Sequence, residues 1–76
     1  MNIEYHETPS ERVLEFGEEV KITITKDGYG MLIVTKEGEE VERYYGIDMA
    51  VDHAAELVGE KPGNVELPEE ARSMGM

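Results

Sequence analysis

From Val20 to Lys26 the chain alternates without a fault, and this alternation limits the fold more than any other feature. Val20, Ile22 and Ile24 point one way, while Lys21, Thr23 and Thr25 point the other. Five of the six residues from Val20 to Thr25 are β-branched, and such side chains fit an extended, half-buried backbone better than a helix. The segment reads as a strand, and a strand needs partners. Asp27-Gly28 follows at once, a pair suited to the positive φ angles of a type I′ hairpin turn. With Lys26 opposite Tyr29, Ile24 faces Met31 and Ile22 faces Ile33, so apolar meets apolar across the pair. Gly30 adds room for a longer loop or a bulge. Met31 to Val34 is apolar on both faces, the pattern of a strand central in its sheet.

A Glu-rich turn from Lys36 to Glu40 leads to a third strand, Val41 to Tyr45. Its register is open between two loops. A two-residue loop sets Val34 against Val41 and Ile33 against Glu42. A four-residue loop sets Ile33 against Tyr44 and Leu32 against Tyr45, and it is favoured because it buries more apolar area. Gly46 ends the strand, and Asp48 is the expected N-cap of a helix to about Val58. Ile47, Val51, Ala54 and Val58 share one face of that helix, with Ala50 and Leu57 beside them. Asp48, Asp52 and Glu56 share the opposite face. Gly59 stands at C′, and Pro62 forbids continuation.

Upstream, Met1 to His6 alternates as a short strand, with Ile3 and Tyr5 on one side and Asn2, Glu4 and His6 on the other. Thr8-Pro9-Ser10-Glu11 has the form of a helix start, with Thr8 as N-cap, Pro9 at the first helical position and Glu11 closing a capping box. A two-turn helix over Thr8–Phe16 is expected, although Leu14 and Phe16 also alternate as in a strand. Downstream, Val65-Glu-Leu67 is enough for a last short strand, and Pro68 to Arg72 for a helical turn. The tail from about Ser73 is expected to fray.

These segments predict an α+β fold: an antiparallel sheet of three to five strands, one amphipathic helix packed on it, and a second short N-terminal helix. The 76 residues form a single domain with the expected core Val20, Ile22, Ile24, Ile33, Val51, Ala54, Leu57 and Val58. A domain of this size buries only about 60 % of its unfolded surface and is marginally stable.

The chain has no cysteine, which removes disulfides and thiolate chemistry. Its start lacks a signal-peptide pattern, and no apolar run reaches the roughly 20 residues of a membrane span. A cytoplasmic protein, monomeric by default, is the expectation. With 18 acidic and 7 basic residues the formal net charge is −11, which argues against direct contact with nucleic acid or anionic membranes. Fifteen of the acidic residues are Glu, but only four residues are Lys, a weak pointer to a thermophilic or archaeal source.

No catalytic motif is present. Asp27-Gly-Tyr-Gly30 lacks the Gly-Lys-Ser/Thr ending of a phosphate loop and is followed by strand rather than helix. His53 has neighbouring carboxylates but no second His or nucleophile at helical spacing. His6, between two Glu residues, reads as a surface side chain. No enzyme activity is expected.

The carboxylates fall into two clusters, Glu37, Glu39, Glu40 and Glu42 on the turn and strand, and Asp48, Asp52 and Glu56 on the helix. Three uses compete: solubility, a basic partner, or a divalent cation. The leading functional expectation is a non-enzymatic module that binds a basic protein surface through these seven residues. The alternative is weak Ca2+ binding through Glu37, Glu39 and Glu40 or through Asp48 and Asp52. Neither cluster matches an EF-hand loop, and helical neighbours four apart stand about 6 Å from each other along the axis.

Overall fold

The computed structural model describes residues 3–26 and 30–73. Five strands follow one another as an antiparallel meander: β1 (Glu4–Glu7), β2 (Glu11–Phe16), β3 (Val20–Thr25), β4 (Leu32–Lys36) and β5 (Glu39–Tyr44). The spatial order is β1-β2-β3-β4-β5, so β3 is central and β1 and β5 are the edges. One helix, α1 (Ile47–Leu57), packs over β3, β4 and β5. Two 3₁₀ turns, Pro62–Asn64 and Glu69–Ser73, close the described chain.

The expected N-terminal helix is replaced by β2. Thr8 still does what an N-cap does: its Oγ1 accepts from the backbone N–H of Ser10 at 3.3 Å and of Glu11 at 3.0 Å. The Thr8 N–H, however, donates back to the Glu11 carbonyl at 2.9 Å, which closes a hairpin rather than starting a helix. A Thr side chain bound to following N–H groups serves a tight turn as well as a helix end. The alternation of Leu14 and Phe16 then decides the matter, because both are fully buried on the sheet face that α1 covers.

The β3–β4 register is one residue off the expected one. Ile24 pairs with Leu32 and Ile22 with Val34, so Leu32 and Val34 are in the core at 0 % exposure and Ile33 turns outward. The loop is longer than two residues, and Gly30, at φ +79°, takes up the difference. The Asp27-Gly28 turn lies outside the described residues.

At the β4–β5 turn the short loop forms and then gives way. Lys36 pairs with Glu39 and Thr35 with Glu40 around Glu37-Gly38, whose φ angles of 53° and 84° suit a type I′ turn. A bulge follows, and Val34 pairs with Glu42 and Leu32 with Tyr44. The extra residue, Val41, adds local twist and lets the short turn coexist with Tyr44 on the covered face.

Gly46 rather than Asp48 is the N-cap of α1, and no side chain caps it. Asp48 sits in the first turn, where its charge favours the helix dipole. The other end matches expectation: Gly59 at φ +79° receives the chain, its N–H reaching Glu56 O and the Glu60 N–H reaching Ala55 O, the paired bonds of a Schellman motif.

Ala50, Ala54 and Ala55 are fully buried, and such small side chains let the helix sit close to the sheet. Opposite them lie Leu14, Phe16, Val20, Ile22, Leu32 and Val34, all at most 1 % exposed. Ile24, Leu57 and Val58 border this core, and Val65, Leu67 and Ala71 join it from the C-terminal segment. Glu66 makes only an isolated bridge in place of the expected last strand.

Candidate functional site

The residues expected to meet a partner lie on the edge strand β5, on the turn before it and on α1. Glu39, Glu40 and Glu42 belong to β5, Glu37 to the turn before it, and Asp48, Asp52 and Glu56 to the helix; all seven are exposed. The turn between β5 and α1 brings Tyr44 of the strand against the helix. Tyr44, Met49, Asp52, His53 and Glu56 line a shared open depression of about 310 Å³. Tyr44 Oη and His53 Nδ1 share a hydrogen bond at 2.7 Å, and the rings meet edge-on with centroids 5.8 Å apart. This bond ties the end of β5 to the middle of α1. Glu42 pairs with Val34 two residues before Tyr44, so the register puts it on the same sheet face as Tyr44.

Charge pairing divides these carboxylates. Arg43 holds Glu40 in a two-pronged contact, Nε to Oε2 and Nη2 to Oε1, both at 2.8 Å. The Arg43 hydrogen bonds hold the Glu40 carboxyl below its ordinary range, and Glu40 in turn raises the guanidinium. Among the described residues, Glu37, Glu39, Glu42, Asp48, Asp52 and Glu56 have no Lys, Arg or His side-chain nitrogen within 4.0 Å, although Glu42 Oε1 accepts from the Arg43 backbone N–H at 3.0 Å. The large apolar side chains exposed in the described structure fall in the same stretch: Val41 at 41 %, Tyr45 at 71 % and Met49 at 61 %. Apart from Glu40, this stretch of chain is therefore acidic, without charge partners and partly apolar.

The structure does not draw the carboxylates proposed as calcium ligands into a cage. Glu37, Glu39 and Glu40 follow a turn and an extended strand, and Asp48 and Asp52 stand one helical turn apart. Among the described residues, the set of three metal-ligating side chains whose donor atoms come within 4.8 Å of one another is Glu4, His6 and Glu15. It lies on the sheet face away from α1. The alternation of the N-terminal segment places Glu4 and His6 together, but the helix expected over Thr8–Phe16 would keep Glu15 apart from them; the β1–β2 pairing joins it. The Tyr44–His53 contact had no signal in the sequence, because its partners are nine residues apart across a strand-to-helix turn.

Elsewhere the charges pair locally. Lys26 Nζ bonds Glu7 Oε2, and this contact, with a further bond from Tyr5, holds the Glu7 carboxyl below its usual range. Burial first, and the Glu7 contact second, push the Tyr5 hydroxyl up. No helix among the described residues is long and apolar enough to cross a membrane.

Over residues 1–76 the chain matches the model of a family of unknown function, DUF7111, and it belongs to that family. No curated protein and no solved structure matches it.

Proposed function

We propose that this member of DUF7111 is a non-enzymatic binding module whose β5–α1 side docks on a basic protein surface. One observation carries the reading: unpaired carboxylates and the exposed apolar residues Val41, Tyr45 and Met49 occupy the same stretch of chain. Acidity for solubility alone needs no apolar neighbours. A docking surface uses both, since apolar area supplies affinity while charge steers approach and selects the partner. Tyr45 suits contact with Arg or Lys, because an aromatic face attracts a cation.

The test starts from a pull-down with the tagged protein at low salt, followed by reconstitution with the purified basic protein that it captures. Asp48→Asn/Asp52→Asn/Glu56→Gln should weaken binding by about tenfold or more, as loss of complementary charge does. Glu18→Gln/Glu19→Gln/Glu66→Gln removes equal charge elsewhere and should bind almost as wild type does. Equal losses from both triples would show attraction to net charge only and would end the proposal.

A further inference from the structure

We propose that Glu4, His6 and Glu15 form a surface site for a divalent transition-metal ion of the zinc class. The site lies on the open sheet face, so this inference does not rest on the docking surface across the domain. Strand pairing builds it. Glu4 and His6 are two apart on β1 and share a face, and Glu4 stands directly opposite Glu15 on β2. Tyr5, between them, pairs with the buried Leu14 and faces the core.

The spacing fits a metal. His6 Nε2 lies 2.9 Å from Glu15 Oε1 and 3.6 Å from Glu4 Oε2. Zinc holds nitrogen and oxygen donors at about 2.0–2.1 Å in a tetrahedron, whose edges are then roughly 3.3–3.4 Å. The two observed distances bracket that edge, so small side-chain rotations would seat the ion and leave the fourth position to water. An imidazole with two carboxylates suits zinc better than calcium, which prefers six to eight oxygens. The donors also stand on paired strands rather than on a loop, which limits the ordering that binding requires.

A second observation points the same way. Like charges directly opposite on neighbouring strands repel, and Glu4 faces Glu15 with His6 as the sole nitrogen partner within 4.0 Å among the described residues. Lys21 pairs with Glu15 in the β2–β3 register without coming within ion-pair distance. A divalent ion would remove the repulsion and use the imidazole as its third ligand.

ZnCl2 titrated into 15N-labelled protein, followed by amide and imidazole NMR, tests the assignment. The expected result is a saturable one-to-one change centred on Glu4, His6 and Glu15, complete below about 1 mM metal, and absent with CaCl2. His6→Ala and Glu15→Gln should each weaken zinc binding by at least about tenfold, consistent with the loss of a ligand, while His53→Ala should leave it unchanged. His6 is exposed, and Glu15 is half-buried on the open sheet face where Gln keeps its size, so these variants should fold, and their amide spectra verify it. Absence of saturable change up to about 1 mM zinc, wild-type affinity in either ligand variant, or changes centred on His53 would overturn the proposal.

Discussion

Leu32 and Ile33 are neighbours of similar size, yet the structure gives them opposite surroundings. Leu32 is fully buried under α1, whereas Ile33 faces outward between Thr23 and Arg43 and is only half-buried. Leu32→Ala removes buried carbons and leaves a cavity bounded by close-packed helix and sheet, a change that costs about 3 kcal/mol. Ile33→Ala gives up about half as much buried area on a face open to solvent, where water fills the gap, so about 1 kcal/mol is expected. Total stability for a domain of this length is roughly 4–11 kcal/mol, so both variants should still fold. Urea unfolding followed by far-ultraviolet circular dichroism measures the difference. With a slope of about 1 kcal/mol per molar urea, the midpoint should fall by about 3 M for Leu32→Ala and about 1 M for Ile33→Ala. The register with Ile22 facing Ile33 reverses this order, because a shift of one residue exchanges the two faces. Equal losses, or a larger loss at Ile33, would refute the placement of α1 on the Leu32 side.

Three further outcomes follow from the turns and charges. Glu37 holds a left-handed conformation at φ 53°, which Asn tolerates far better; Glu37→Asn should raise stability by about 1 kcal/mol in the same unfolding assay, and Glu37→Ala should lack this conformational gain. The Glu7 carboxyl titrates below its unfolded value because of Lys26, so its contribution is present above that value and is lost as pH falls through the lower folded one. The acid-unfolding curve of Glu7→Gln should accordingly lack that component, and a curve superimposable on wild type's would show the contact to be without effect. Finally, self-repulsion at a net charge of −11 is screened by salt, so the melting temperature measured by scanning calorimetry should rise between about 10 and 150 mM NaCl.

The helix and the central strands were legible because their signals are periodic and local. The apolar stripe of α1 and its stop at Gly59 needed no tertiary information, and neither did the alternation of β3. What the sequence hid was competition between local devices. Thr8 binds following N–H groups in a hairpin turn as it would at a helix start, and only Leu14 and Phe16 meeting the core distinguish the two. Gly30 and the extra residue Val41 each shift a register by one, and a one-residue shift exchanges buried and exposed faces. The expected core therefore contained Ile33 in place of Leu32 and Val34. The same blindness concealed the Glu4–His6–Glu15 group, since its third member reaches the others only through the β1–β2 pairing.

The topology also separates the carboxylates of β5 from those of α1. β5 is an edge strand, and an unprotected edge invites pairing with another chain; charged side chains and bulges are the usual defences. Glu39, Glu42 and the bulge at Val41 supply both, so their presence has a structural explanation apart from any partner. Asp52 and Glu56 have no such explanation, since α1 exposes no strand edge, and Asp48 has only its modest effect on the helix dipole. Glu39→Gln/Glu42→Gln should therefore promote concentration-dependent self-association in sedimentation velocity while retaining most partner affinity. Asp48→Asn/Asp52→Asn/Glu56→Gln should do the reverse, self-associating no more than wild type and losing the partner. Self-association of the helix variant, or complete loss of partner binding in the strand variant, would mean that the two carboxylate sets act as one surface and that the edge needs no protection by charge.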